Sequence, residues 1–186
     1  MFSLFSSAPF LYDKGTLSKL YFQELETPLG TLLVVGSSKG ICRICFSAQS
    51  FRDSSSWFKR HFSCLPEKGW QPSLREAIGQ LTEYFEGKRR DFDLPLDLRG
   101  TPFQVGMWRQ LLKIPYGSTA SYGEVALRMG NPRASRAVGS AAGNNPVSIV
   151  VPCHRLIGQD GSLVGFAGGL AIKEKLLGSE NGQAAL

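Results

Sequence analysis

No window of this 186-residue chain reaches the run of about 18 apolar residues that a membrane-crossing helix requires. Four cysteines are too few, in a chain of this length, for the disulfide framework of a small secreted domain, and a reduced, cytoplasmic setting fits them better. Internal repeats and low-complexity tracts are absent. Histidine is scarcer still, with His61 and His154 the only two. The N-terminal segment "MFSLFSSAPFLYDKGTLSKLY" lacks both a basic start and a continuous apolar core, so residues 1–18 read as an extension and not as a signal peptide. Acidic residues are missing altogether between Glu124 and Asp160, a span that contains Arg128, Arg133, Arg136 and Arg155. Such a local electropositive zone suits phosphate, although the formal charge of +6 permits an anionic partner without demanding one.

What remains is a chain that can fold. With 42% hydrophobic and 11% aromatic residues it can bury a proper core, as one domain or two small ones. "GTLLVVGSSKGICRICFS" reads as two short strands around a turn, a hairpin signal. "SFRDSSSWFKRHFS" is weakly helical, through Trp57, Phe58 and Phe62. "SLREAIGQLTEYFEGKRRDF" is a clear amphipathic helix with Leu74, Ile78, Leu81 and Phe85 on one stripe. The charged stretch "EGKRRDFDLPLDLRG" reads as a strand or connection, placing a domain boundary near residues 92–100, with 19–95 before it and 96–186 after.

The second half opens on strong helix punctuation. Thr101, Pro102 and Gln104 form a capping box with proline at the first helical position. Phe103, Met107 and Leu111 mark the buried face, and Pro115 stops the helix. Ser121 and Glu124 repeat the device for a short helix ending at Met129, with Gly130 as its stop. After "GNP" a third helix runs from near Arg133 to Gly143, which makes the pair a helix-turn-helix candidate. That third helix, "RASRAVGSAAG", has almost no bulk around Arg136, so its backbone can approach another surface closely. Tight packing on a neighbouring element explains small residues equally well, and the two readings can occupy opposite faces.

"VSIVV" reads as a buried strand, with Pro152 keeping Val151 extended, so that Cys153 falls where strand becomes turn. A free cysteine is commonly a small buried hydrophobe. Its company argues otherwise: His154, Arg155, Asn144 and Asn145 surround it in sequence. A thiol of pKa about 8.5 needs a base or a positive charge to become a useful thiolate. Adjacent residues of an extended chain point oppositely, so a turn or a bridging water would have to couple His154 to Cys153. A carboxylate to orient the imidazole could be Glu174 or Glu180, both in the final helix "FAGGLAIKEKLLGSENG".

"VPCHRLI" resembles the active-site signature of the O6-alkylguanine-DNA alkyltransferases. "TPFQVGMWRQLLKIPYGSTASYGEVA", "GNPRASRAVGSAAGNNPVSIVVPCHRLIG" and "GFAGGLAIKEKLL" resemble that family's C-terminal domain in order and spacing, and "TPLGTLLVVGSSKGICRICF" its N-terminal domain. The resemblance implies an α/β (α+β) protein: a small ribonuclease-H-like sheet-plus-helix domain, then a mainly helical domain with the helix-turn-helix. It makes Cys153 the alkyl acceptor, His154 a water-linked base, and Glu180 the carboxylate behind it. Asn145 would hold the active-site turn, and Tyr122 would donate a proton to the leaving guanine. Arg136 would fill the space of an extruded base, on a helix that enters the minor groove, where bulk is not tolerated. Ser121, Arg133, Ala134, Ser135, Ala137 and Gly139 would face DNA, and Leu156, Leu163, Phe166, Ala167 and Ser148 would shape the pocket. The implied partner is duplex DNA carrying O6-alkylguanine, met by a monomer that acts once and needs no cofactor. Phe166 and Ala167 depart from the tyrosine and serine of many relatives, and Ala142 and Ser148 replace bulkier residues, which implies a roomier pocket.

Three rivals have their own signals. A Cys153/His154 hydrolase would need an oxyanion hole, for which no dedicated motif stands out. A non-catalytic damage-binding protein of the same fold would lack the reactive cysteine. Cys42 and Cys45, with His61 and Cys64, offer four metal ligands in principle, but the C-x-x-C lies in a strand-like run with no second pair beside it. A structural zinc is therefore not expected.

Overall fold

A computed structural model describes residues 19–182. The expected extension over 1–18 and the last four residues lie outside the described part. Three strands open the fold: β1 (Tyr21–Thr27), β2 (Gly30–Ser37) and β3 (Gly40–Cys45), each antiparallel to the next. The β2–β3 hairpin is the one its alternating apolar residues and Ser38-Lys39 turn indicate. Because successive side chains of a strand face opposite ways, Val34 and Val35 enter two different cores. Two short helices, α1 (Ala48–Asp53) and α2 (Ser55–Phe62), cover one sheet face, where Phe58 and Phe62 pack on Leu20, Val35 and Cys42. The two-residue strand β4 (Glu67–Lys68) then adds in parallel beside β1, giving the sheet order β3-β2-β1-β4.

Helix α3 (Pro72–Phe85) crosses the other face, burying Leu74, Ala77 and Leu81 against Leu32, Val34 and Ile41. The charged stretch after it is an extended connection that runs along the free edge of β3. Ile41 donates to Pro95 O at 2.8 Å, and Asp97 N donates to Ile41 O at 2.9 Å. Gly40 stands there with φ +139°, and any Cβ would collide with the Pro95 carbonyl.

Helix α4 (Pro102–Leu111) begins with the capping box read from sequence: Gln104 N donates to Thr101 Oγ1, and Gln104 Oε1 accepts from Thr101 N. The short strand β5 (Ala120–Ser121) leads into α5 (Tyr122–Arg128), a tight turn at Gly130, a 3-10 turn (Pro132–Ala134) and α6 (Ser135–Gly143). Trp108 ties α4 to α6 by donating from Nε1 to Ala141 O at 2.8 Å. A second 3-10 turn (Cys153–Arg155), the strand β6 (Leu156–Ile157, parallel to β5) and α7 (Leu170–Glu180) complete the chain. One core runs through both halves, from Leu32 and Leu74 to Met107, Val138, Val151 and Leu176. Among the described residues no helix is long and apolar enough to cross a membrane.

The expected strand at 147–151 does not form. The segment is buried, but it closes on itself, with Val151 N donating to Val147 O at 2.9 Å and Ile149 at φ +77°. Pairing is confined to an isolated Ser148–Val151 bridge. The reason is a side chain: Asn145 Nδ2 donates to Val151 O at 2.8 Å, and its Oδ1 accepts from Val147 N at 3.1 Å. Those bonds satisfy buried backbone groups that would otherwise need a neighbouring strand.

Candidate active site

Cys153 begins a 3-10 turn directly after this folded loop, and only 4% of its surface is exposed. Its Sγ receives a hydrogen bond from the same Asn145 amide at 3.1 Å, and Ser148 Oγ lies 3.9 Å away. Burial pushes the thiol pKa up, while Asn145, Ser148 and the nearby Lys173 ammonium oppose that rise. The resting group is therefore a protonated thiol in surroundings already arranged to receive a thiolate.

The next two residues in the chain, His154 and Arg155, belong to a buried charge cluster. His154 and Glu180 come together at 2.9 Å through Nε2 and Oε1, whereas Glu174 is exposed. Arg155 clamps the same carboxylate with Nε on Oε2 and Nη2 on Oε1, both at 2.9 Å, and its Nη1 donates to Ile114 O. Gly117 N adds a bond to Oε2 at 3.1 Å and Tyr84 Oη one to Oε1 at 2.8 Å. Burial alone would raise the carboxyl pKa, but the bonds and charges of His154 and Arg155 outweigh it and hold the group well below its usual range. Burial lowers the imidazole pKa against the pull of Glu180. With an ionised Glu180 accepting at Nε2–H, the imidazole keeps an unprotonated Nδ1, which is buried with no protein partner.

Cys153 lines a cavity of about 580 Å³ together with Tyr122, Ser135, Arg136, Gly139, Ala142, Phe166 and Ala167. Tyr122 Oη donates to Val164 O at 2.9 Å, and burial raises its pKa, so it holds its proton. Arg133, Arg136 and Ala137 are exposed along one face of the helix-turn-helix, while Ser121 Oγ is occupied as the cap of α5, accepting from Glu124 N. Ala134, in the 3-10 turn between the two helices, is largely buried. Leu156 is fully buried in the core, Leu163 is not among the residues lining the Cys153 cavity, and Ser148 lines an adjoining cavity beside β3 while its hydroxyl lies 3.9 Å from Sγ.

The cavity wall also includes residues to which the sequence does not point. Val164 and Gly165 line the cavity, and the fully buried Lys173 grips their loop, donating from Nζ to Val164 O at 2.7 Å. The small residues of α6 hold the only signal that would have marked a close wall, and nothing local marked Lys173. Among the described residues, no three His, Cys, Asp or Glu side chains come together as a metal-holding group. Cys42 instead donates to Val35 O, and Cys45 meets Ser54 Oγ.

A buried thiol beneath a cavity walled by the second helix of a helix-turn-helix is a cysteine centre built into a nucleic-acid-binding framework. Comparison with known proteins makes that class specific. Residues 102–182 match the model of the 6-O-methylguanine DNA methyltransferase DNA-binding domain, and residues 20–98 match that family's ribonuclease-like domain. A methylated-DNA–protein-cysteine methyltransferase of Methanosarcina barkeri is 42% identical over 160 residues, covering 85% of this chain and 95% of its own. One from Mycobacterium bovis is 41% identical over 165 residues, covering 89% and 94%. The crystal structure of the Mycobacterium tuberculosis O6-methylguanine methyltransferase superposes with a TM-score of 0.76 at 40% identity, over 89% of this chain and 94% of that one. A structure of the same Mycobacterium tuberculosis protein in complex with DNA gives the same score and identity, over 88% and 94%. The chain belongs to the 6-O-methylguanine DNA methyltransferase family.

Proposed function

We propose that this protein repairs O6-alkylguanine, and O4-alkylthymine, in duplex DNA by moving the alkyl group irreversibly onto Cys153. The observation behind the reading is the place of Cys153: it lines the same cavity as Arg136, and the next residue in the chain is His154, paired with Glu180. A lesion on guanine O6 sits inside the base stack, so the nucleotide must rotate out to reach a buried thiol. Arg136, exposed on α6, fills the space left behind, and Arg133 and Ala137 follow the DNA beside it.

In the pocket, His154 takes the thiol proton at Nδ1 through a bridging water. The sulfur electron pair then attacks the alkyl carbon in line with the carbon–oxygen bond. That bond breaks, its electrons pass to the guanine ring, and Tyr122 supplies a proton to the leaving base. Asn145 holds Sγ through the change from thiol to thiolate, and its place between Val147, Val151 and Cys153 joins the end of α6 to the reacting atom. The product is a thioether, which water does not cleave, so each molecule acts once. Ala142 and Ala167 keep the pocket wide enough for groups larger than methyl.

The test is a time course with DNA carrying O6-methylguanine or O6-benzylguanine in excess over protein. Repair of both lesions should stop at one equivalent. Continuing turnover would point to a hydrolase, binding without repair to a damage sensor, and rejection of the benzylated base to a tighter pocket.

A further inference from the structure

Glu180 Oε1 is a crowded atom. It accepts from His154 Nε2 at 2.9 Å, Arg155 Nη2 at 2.9 Å and Tyr84 Oη at 2.8 Å. The last of these comes from the other half of the protein, 96 positions earlier in the chain, on the helix that covers the sheet. Tyr84 is 1% exposed, and its ring is packed edge-on against Phe85 and Tyr116 and tilted against Phe92. Nothing lets it swing away. A phenol is not needed to fill that space, since Phe would do so equally well; the hydroxyl is there with one acceptor.

We propose that Tyr84 is a positioning residue for alkyl transfer: its hydroxyl holds Glu180 Oε1 and limits how strongly that oxygen draws the proton of His154. The proposal rests on the reading in which His154 is the base for Cys153. A carboxylate oxygen that accepts a further strong hydrogen bond has less charge to offer the imidazole. Tyr84 therefore keeps His154 neutral, with Nδ1 ready to accept, by sharing its counter-charge. The other groups facing the carboxylate act in the same direction. Arg155 is doubly bonded to it, and Gly117 N holds Oε2. The Lys173 charge disfavours a protonated imidazole, and the neutral Tyr116 ring closes the cluster beside Tyr84 and Arg155. Burial and the negative charge of Glu180 both push the phenol pKa up, so Tyr84 remains a donor throughout the range in which the protein works. On this account the N-terminal half contributes a functional group to the reacting centre as well as a support.

Tyr84→Phe separates the two roles. Arg155 and Gly117 keep the carboxylate in place, so the variant folds, and Oε1 is left free to bind the imidazole proton more tightly. The single-turnover rate on duplex DNA containing O6-methylguanine should then fall about three- to ten-fold at about pH 6 and less than two-fold at about pH 8, moving the acid limb of the profile upward. Leu81→Ala, a fully buried change on the same helix away from Glu180, should lower the melting temperature without moving the limb. Nitrogen chemical shifts of the His154 ring, followed against pH without DNA, should show the same upward displacement in Tyr84→Phe alone. An unmoved limb with an unmoved ring titration overturns the proposal, as does an equal loss of rate at both pH values. The ring titration needs no substrate, so it decides the role of Tyr84 even where Cys153 takes no alkyl group, an outcome that would instead overturn the alkyl-transfer reading.

Discussion

Cys42 and Cys153 are both buried, at 0% and 4% exposure, yet their surroundings differ in kind. Cys42 sits on β3 among Leu20, Val35, Phe58 and Phe62, with one long contact to the Val35 carbonyl. Burial and the nearby Asp97 carboxylate drive its pKa far up, and such a thiol stays protonated and inert. Burial raises the Cys153 thiol as well, and both rises are opposed. Arg43 and Arg99 act on Cys42 through their charge alone, whereas the Asn145 amide and the Ser148 hydroxyl meet the Cys153 sulfur directly and the Lys173 ammonium adds its charge. Cys153 also borders a cavity of about 580 Å³, whereas Cys42 is packed among apolar side chains with none of its surface exposed. Depth alone therefore says little about reactivity. What separates the two thiols is that hydrogen-bond donors and open space meet the Cys153 sulfur directly.

The comparison breaks most sharply by exchanging the two sites. Cys153→Ala should abolish alkyl transfer entirely, while Cys42→Ala should keep one equivalent of product and lose only stability, about 1–2 kcal/mol for a small buried side chain. Removing the support behind Cys153 comes next. Glu180→Gln should slow transfer about 10²-fold, the usual lower scale for losing an acid–base element, as measured by single-turnover quench. Arg136→Ala should slow repair in duplex DNA about ten-fold while leaving the reaction with free O6-benzylguanine base within two-fold, because only the duplex requires an extruded base to be replaced. Equal losses on both substrates would remove the role given to Arg136.

The smallest effect is on stability against pH. His154 and Glu180 both have folded-state values below their ordinary 6.5 and 4.5. The unfolded chain thus binds more protons than the folded one as acid is added, and the stability these groups contribute is lost on going down in pH. His154 begins to cost stability below about pH 6.5 and Glu180 below about pH 4.5. The melting temperature should fall across that window, and Glu180→Gln should flatten the fall below about pH 5. Cys42→Ala should leave the slope unchanged.

Much of this was legible in the chain because it is local. The capping boxes at Thr101 and Ser121 need only residues three apart, and both form as read. The β2–β3 hairpin and the apolar stripe of α3 follow from periodicity in the same way. The segment 147–151 looks like a strand in sequence because burial produces the same apolar run in a strand and in a folded loop. What decides between them is the reach of Asn145 across the loop, which periodicity does not register. Tyr84 precedes Phe85 on the buried side of α3 and looks like one more core aromatic; its partner is 96 positions away. Lys173 is hidden for a similar reason, since a helical lysine reads as solvent-facing until the Val164 carbonyl is seen above it.

The acceptor role proposed for Cys153, and for none of the other three cysteines, is open to one direct measurement. The protein is incubated with duplex DNA containing O6-methylguanine, digested, and each cysteine-bearing peptide is weighed. The expected result is a single methyl group on the Cys153 peptide, in proportion to guanine restored, with Cys42, Cys45 and Cys64 unchanged. Restored guanine with an unmodified Cys153 peptide, or methyl groups spread among the other cysteines, would contradict the account.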